Sequence, residues 1–262
     1  MRVEGKHPKE VRAEIRGGKH QGLTAELASG YLQANVVTLP KEYAYDFLLF
    51  CQRNPTPCPL MEVTDVGSPE PHRVAPGADL RTDIPLYCIF RDGEMVQEVT
   101  DITSYWRNDL VSFLLGCSFN FEWALLEAGV DIWHREKKKN VAMWRTSIQC
   151  VPAGRFHGPM VVTMRPIASE QLVKAITVSA RFPGAHGAPV HIGEPSVIGI
   201  QDIHRPDMGD ATPFRPGDLP VFWACGVTPQ AVALASKPSL MITHCPGHMF
   251  ITDLPNSTLT AI

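Results

Sequence analysis

Pro220-Val221-Phe222-Trp223-Ala224-Cys225-Gly226-Val227-Thr228-Pro229-Gln230 reads as an apolar strand that runs into Cys-Gly and then into a helix. Thr228 stands where an N-cap belongs and Pro229 at the first helical position, where a missing N–H costs nothing. A strand feeding a helix through a tight turn is the repeating step of α/β folds. In an open α/β sheet, ligands settle at the carboxyl ends of strands, beside the unpaired N–H groups and positive dipole end of the next helix. Two readings of Cys225 follow: a thiol drawn toward thiolate by that helix end, or a small buried hydrophobe at the turn.

Downstream the same grammar continues, with a helix over 229–236 and strands over 240–243 and 249–252. Upstream, residues 35–39 predict a buried strand stopped by Pro40, and Ala44, Phe47, Leu48 and Cys51 recur at the spacing of an amphipathic helix over 41–51. A polar helix over 7–16 is closed by Gly17-Gly18. Asn54-Pro55-Thr56-Pro57-Cys58-Pro59 lacks alternate donors and forms a stiff connector into a strand over 60–63. A loop over 69–82 precedes a hairpin, 86–90 with 94–100, turning at Asp92-Gly93. Ser104 predicts the cap of a helix through 115, and a second helix runs over 119–128. The texture changes near Val141: strands over 141–148 and 159–165, a helix over 170–180 capped by Ser169, and a strand-like stretch over 189–200.

The pattern predicts an α/β protein. A three-layer α/β/α domain has a mixed sheet formed by both ends of the chain, residues 1–131 and 201–262, and a smaller two-layer α+β domain is inserted at 132–200.

At 262 residues and 44% hydrophobic, folding buries roughly three quarters of the unfolded surface, so a core forms without a metal or disulfide staple. Lys+Arg 24 against Asp+Glu 27 leaves a net charge of −3, which argues against a nucleic-acid partner. Lys137-Lys138-Lys139, between Glu136 and Asn140, reads as a solvated turn. No stretch approaches the apolar length of a membrane span. The first twenty residues carry charge but no apolar core, so no export signal is expected. Seven cysteines (Cys51, Cys58, Cys88, Cys117, Cys150, Cys225, Cys245) lack paired spacing, and reduced thiols in a cytoplasmic protein are expected.

Several segments carry chemistry. Gly116-Cys117-Ser118 opens a helix whose first turn holds Glu122 among Phe119, Phe121 and Trp123. Glu122 reads either as an acid or base whose pKa desolvation raises, or as a surface carboxylate complementing the helix dipole. His244-Cys245-Pro246-Gly247-His248 has metal-compatible residues, but its Pro-Gly turn rules out the helical arrangement that marks zinc sites. Two histidines acting as proton carriers or hydrogen-bond donors are the preferred reading. The acid-rich stretch from Asp202 to Asp210 is either a turn or an oxygen site for a divalent cation. Arg155 and His157 in a glycine-bracketed loop, with Arg145 on the preceding strand, form a carboxylate clamp unless each pairs with a structural acid. There is no Walker loop, Gly-x-Gly-x-x-Gly, Gly-x-Ser-x-Gly or Cys-x-x-Cys, which weakens NTPase, dinucleotide oxidoreductase, serine esterase and zinc-ribbon readings.

Taken together the chain resembles the D-glutamate cyclase family, whose bacterial members are commonly termed hydro-lyases. The resemblance rests on residues 35–40, Phe50-Cys51-Gln52-Arg53-Asn54-Pro55 with Cys58-Pro59-Leu60, Asp79-Leu80-Arg81-Thr82-Asp83-Ile84-Pro85 and Gly116-Cys117-Ser118-Phe119. It continues through Gly154-Arg155-Phe156-His157-Gly158-Pro159-Met160, His191-Ile192-Gly193, the stretch 221–230 and Pro246-Gly247-His248-Met249. Cys245 departs from it, standing where the family pattern implies a small residue.

The implied reaction is reversible dehydration of D-glutamate to 5-oxo-D-proline, which needs no redox or phosphate cofactor; no cofactor is expected, with a divalent cation as the alternative. Its needs would fall on Glu122, His244 or His248 for proton transfer, and on N–H groups after Cys117 and Cys225, with Ser118 and Thr228, for the oxyanion. Arg155, His157 and Arg145 would hold a carboxylate, and Asp83 the ammonium. The competing readings are a hydro-lyase or amide hydrolase acting on another small carboxylic acid, and a non-enzymatic dicarboxylate-binding or accessory subunit. The expected partner is a small carboxylic or amino acid, and a homodimer is the base-rate expectation.

Overall fold

The computed structural model describes residues 5–137 and 139–259. Lys138, the centre of the basic run, lies outside them. In chain order the elements are α1 (Pro8–Arg16), β1 (Tyr31–Pro40), α2 (Lys41–Arg53), β2 (Leu60–Val63), β3 (Tyr87–Arg91), β4 (Glu94–Val99) and β5 (Leu110–Gly116). Then come α3 (Phe119–Glu127), α4 (Trp133–Glu136), β6 (Met143–Gln149), β7 (Pro159–Ala168), α5 (Leu172–Ala180) and β8 (His191–Ile192). The tail holds β9 (Asp218–Ala224), α6 (Val227–Ala235), β10 (Met241–His244) and β11 (Phe250–Pro255).

The larger sheet is ordered β2-β5-β1-β10-β3-β4, with β11 also paired to β1, so both ends of the chain build it. The α/β architecture therefore stands, but every described pairing in this sheet is antiparallel. The reason lies in the crossovers. Helix α2 carries the chain from β1 to β2, which run the same way, and β5 inserts between them. On one face Val37, Phe113 and Met241 pack under Phe47 and Phe50 of α2 and Val232 of α6. On the other, Val36, Leu114, Ile242 and Phe250 are covered by the irregular segment carrying Val74, Ala78, Leu80 and Ile84. Helix α1 packs against β11 through Val11, Ile15 and Ile251.

Residues 110–116, expected as the end of a helix capped by Ser104, form the fully buried strand β5 after a 3-10 turn at Thr103–Tyr105. A strand covered on both faces is apolar throughout, and periodicity alone does not separate it from a buried helix.

The smaller sheet is ordered β6-β7-β9-β8. Strand β9, from the stretch quoted first, pairs with β7 from Val162↔Ala224 to Ala168↔Asp218. It thus belongs to this sheet and not to the one built by the chain ends. Phe121 and Leu125 of α3, with Ala175 of α5, pack on its Val221 and Trp223. The strand-like stretch 189–200 shrinks to β8 and a 3-10 turn, Pro195–Ile198, because its prolines and Gly193 interrupt a ladder. Ser169 makes no cap, and α5 starts at Leu172 after a 3-10 turn.

Two ties hold the termini. Arg16 grips the fully buried Asp83 through Nε and Nη2 (2.8 and 2.7 Å), while the Asp79 N–H donates to the same carboxylate at 2.9 Å. Asp83, expected to bind a substrate ammonium, is spent on fastening α1. The second tie is a disulfide joining Cys88 of β3 to Cys245, 157 residues apart. It corrects the expectation of seven reduced thiols; the other five are free and buried.

Closing so long a loop restricts the unfolded chain by about 5 kcal/mol in the chain-entropy model. A phosphine reductant is expected to lower the urea midpoint of the wild type and leave that of a Cys88→Ser/Cys245→Ser variant unchanged. Equal midpoints with and without reductant would show that the bridge contributes nothing.

Candidate active site

Three strand ends meet between the two sheets. Strand β5 ends at Gly116 and passes through Cys117-Ser118 into α3, β9 ends at Ala224 and passes through Cys225-Gly226 into α6, and β10 ends at His244. Cys117, Ser118, Cys225 and His244 line one crevice together with Asn35 and Asn140. Close approach explains two glycines: a Cβ on Gly116 would lie 1.8 Å from the Gly184 carbonyl oxygen, and one on Gly226 2.1 Å from Asn35 Nδ2. Asn35 Nδ2 donates to the Gly116 carbonyl at 2.8 Å and braces the first strand end. The crevice holds about 30 Å³, room for one or two water molecules.

His244 owes its place to an interrupted ladder. Strands β10 and β11 lie end to end along one edge of β1, pairing at Val37↔Thr243 and Ala34↔Phe250. Residues 245–249 loop out between them. The Val36 N–H, left without a strand partner there, donates to His244 Nδ1 at 3.0 Å. A ring nitrogen that accepts carries no proton, so Nε2 holds it. Burial pushes the His244 pKa down to about 4, and the ring is neutral at neutral pH. His248, half-buried on the same loop, is not among the crevice-lining residues. Its Nδ1 lies 3.0 Å from the Pro246 carbonyl oxygen, so in the neutral ring Nδ1 donates and Nε2 keeps a lone pair.

The thiols are protonated. Burial pushes Cys117 up to about 12 and Cys225 up to about 11, and the pull of the nearby Phe119 and Val227 N–H groups does not offset it. The thiolate reading of Cys225 is thereby reversed: desolvation outweighs the helix end. Thr228 is neither a cap nor a crevice group. Gly226 caps α6, and the buried Thr228 Oγ1 accepts from the Val161 N–H (2.9 Å) and donates to the Val161 carbonyl (3.1 Å), fastening α6 to β7.

Beneath Ser118 lies a buried ionic group centred on Arg165 of β7. Its guanidinium bonds Glu122 Oε1 through Nε (3.0 Å) and Nη2, and Nη2 also donates to Ser118 Oγ at 3.1 Å. It is stacked between Phe121 and Trp223, 5.1 and 5.3 Å from their ring centres. His134 Nε2 lies 3.0 Å from the same carboxylate oxygen. Burial pushes the Glu122 carboxyl up, yet His134 and Arg165 overcome that and hold it below the usual carboxylate range. Glu122 is therefore neither a surface residue nor a desolvated neutral acid, and the expected rise of its pKa is corrected to a fall. Arg165 and His134 escaped sequence reasoning. The available signal was a lone cation in the apolar run Val161-Val162-Thr163-Met164-Arg165, since a charge inside a buried strand demands a partner.

A sequence model of the family described as D-glutamate cyclase matches residues 111–253, which include all three strand ends. The chain belongs to the D-glutamate cyclase family. Relatives from Bacillus licheniformis (58% identical over 97% of this chain and 97% of its own) and Thermoanaerobacter sp. strain X514 (60% over 99% and 98%) carry the name "Putative hydro-lyase". So does YcsI of Bacillus subtilis, 56% identical over 97% of this chain and 99% of its own. Among solved structures, a nitrogen repressor-like protein from Methanococcus jannaschii aligns with 94% of this chain and 98% of its own at TM-score 0.39 and 9% identity, too distant to argue from.

In this D-glutamate cyclase family member the remaining candidates lie away from the crevice. Arg145 and His157 line a separate cleft along the second half of α6, and the exposed Arg155 stacks on Tyr43, 4.5 Å from its ring centre. The acid-rich loop is a turn: Asp202, Asp207 and Asp210 accept backbone N–H groups of His204, Arg145 and Asn140 at 2.9, 2.7 and 2.8 Å. One cluster among the described residues, Cys88, Glu98 and Cys245, is compact enough for a divalent cation, with ligand atoms within 4.8 Å of one another. While the disulfide holds, its sulfurs offer no thiolate for a metal.

Glu122→Gln leaves Arg165 buried without a counter-charge and is expected to cost about 3–5 kcal/mol in urea unfolding; a loss below 1 kcal/mol would refute the pairing. The pH dependence has a definite sign. Burial sets His186 and His244 to about 4 in the folded state, against an ordinary value near 6.5. Between these values the unfolded chain binds protons that the native state refuses. Stability is therefore complete above about pH 6.5 and falls toward pH 4, by about 3 kcal/mol per histidine. His186→Asn should flatten that slope, which urea melts at pH 4.5, 5.5 and 7 would reveal.

Proposed function

We propose that the crevice catalyses the reversible dehydration of D-glutamate to 5-oxo-D-proline. The observation that carries this reading is the meeting of three strand ends, which sets two helix N-termini and a neutral imidazole around one buried crevice. Family membership and the hydro-lyase names of the relatives support the reaction class.

Cyclisation forms a bond from the α-nitrogen to the side-chain carboxyl carbon and breaks a C–O bond there. Two protons pass from the ammonium to the departing oxygen, which leaves as water, so no net proton is consumed. The chemistry needs a base at nitrogen and donors at the carboxyl oxygen. His248 presents a bare Nε2 as the base, and His244 presents Nε2–H as a fixed donor that polarises the carboxyl, as neutral imidazoles do elsewhere. The two rings lie close enough for the charge of His248 to depress the pKa of His244. The positive ends of α3 and α6, whose first N–H groups at Phe119 and Val227 face the thiols of Cys117 and Cys225, attract the substrate's carboxylate oxygens. Cys117 and Cys225 serve as protonated, desolvated walls and not as nucleophiles. Glu122, Arg165 and His134 position Ser118 and α3 without touching substrate. A cavity of about 30 Å³ is too small for an amino-acid dicarboxylate, so the 245–249 loop moves to admit it.

Purified protein is to be incubated with D-glutamate, L-glutamate, 5-oxo-D-proline and a panel of hydroxy acids and lactams, with products resolved by chiral chromatography. Turnover of the D-enantiomers is expected, with kcat reduced at least about 100-fold in His244→Gln and in His248→Gln. Cys117→Ser and Cys225→Ser should stay within about tenfold of wild type. Turnover of a different acid alone would reassign the substrate, and saturable D-glutamate binding without turnover would make the protein a binding module. Undiminished activity in both histidine variants would refute the assignment.

A further inference from the structure

The cleft along the second half of α6 shares no lining residue with the crevice assigned to that reaction. It encloses about 350 Å³, within the roughly 300–1,000 Å³ usual for small-molecule sites. Its walls come from three separate places: β6, β7 and the turn before β7, the flank of α6 with Lys237 beyond it, and Gly93 in the β3–β4 turn. Two lining glycines keep it open. Gly93 has φ +89° and a Cβ there would lie 2.9 Å from Lys237 Cγ; Gly158 has φ +152° and a Cβ there would lie 3.3 Å from Val232 Cγ2.

The charge is one-sided. Arg145, His157 and Lys237 line the cleft and no Asp or Glu does, in a chain whose net charge is −3. Among the described residues, none of these three pairs with a carboxylate within 4.0 Å. The nearby Asp207 is turned to the Arg145 backbone N–H, at 2.7 Å. Val161, Val232 and Leu234 supply apolar wall. An unneutralised guanidinium and ammonium beside such a wall match a molecule with an anionic head and an apolar body, since guanidinium binds carboxylate or phosphate oxygens two at a time.

We propose that this cleft is a second ligand site, separate from the crevice, that binds a small organic anion. The head, carboxylate or phosphate, lies against Arg145, His157 and Lys237, and the body against Val161, Val232 and Leu234.

Calorimetric titration of the full chain at fixed ionic strength, with phenyl phosphate, phenylacetate, inorganic phosphate and acetate as probes, tests it. One phenyl-bearing anion is expected to bind per chain at least tenfold more tightly than its small counterpart, and the better phenyl probe identifies the head group. Arg145→Gln and Lys237→Gln, both at exposed positions, should each weaken that probe about tenfold. Unchanged affinity in the double variant, or no preference for the phenyl compounds over inorganic phosphate and acetate, would overturn the proposal. D-glutamate at concentrations that saturate turnover should not displace the probe; displacement would show the cleft to be the substrate site and overturn the separation. Probe binding by a protein inactive on every acid of the panel would leave this site standing while the reaction assigned to the crevice failed.

Discussion

Arg165 is a guanidinium without access to water on β7 of one sheet, and its counter-charge, Glu122, comes from the helix that leaves the other sheet. A buried charge is tolerated only when an opposite charge and hydrogen bonds surround it. The pair therefore dictates how α3 sits on the smaller sheet, and so where Cys117 and Ser118 emerge. Phe121 and Trp223 sandwich the guanidinium and bring the ends of α3 and β9 to the same place. The two sheets also share α6, whose Val232 packs on the larger sheet and whose Ala231 packs against Val161 of the smaller, and the ionic group adds a charged tie between them beside the strand ends.

The second determinant is a break in regularity. Had β10 run straight into β11, the Val36 N–H would have had a backbone acceptor and His244 no reason to turn inward. The loop at residues 245–249 leaves that donor open, and the imidazole takes the place of a strand partner. The same bond sets the tautomer of the ring. Cys245 follows directly and is tied to β3, so one end of the loop is pinned while its Pro-Gly tip spans the crevice rim. Burial affects the thiols and the imidazole alike: it favours the uncharged form of each, so the crevice is lined by protonated thiols and a neutral ring.

Local signals resolved most elements. The proline and glycine punctuation placed α1, α2, β2, the β3–β4 hairpin, α3 and β7 close to where they are found, because turn chemistry and helix ends act over a few residues. The misplaced elements share one cause. Leu110-Val111-Ser112-Phe113-Leu114-Leu115 looks helical or extended according to what covers it, and β9 carries no mark of which sheet it will join. At the crevice, Cys225 and His244 were recognisable because each follows an apolar strand-like run, and Cys117 and Ser118 because a glycine-thiol-hydroxyl string opens a helix, although the run before them reads as helix and not as strand. Arg145 was recognisable as a cation on a strand and His157 as an imidazole in the following loop, but not as members of another cleft.

By itself the amino-acid order determined the α/β class, the positions of most turns, the family resemblance and the residues that follow β9 and β10, all of which depend on short-range propensity or on contiguous strings. Only the folded chain decided that Asp83 fastens α1, that Glu122 is ionised, that Cys88 meets Cys245, and that every described pairing in the larger sheet is antiparallel. Those outcomes depend on partners from 12 to over 150 residues away or on burial from every side. Neither the electrostatic environment of a side chain nor its choice of a distant partner is encoded in the residues next to it.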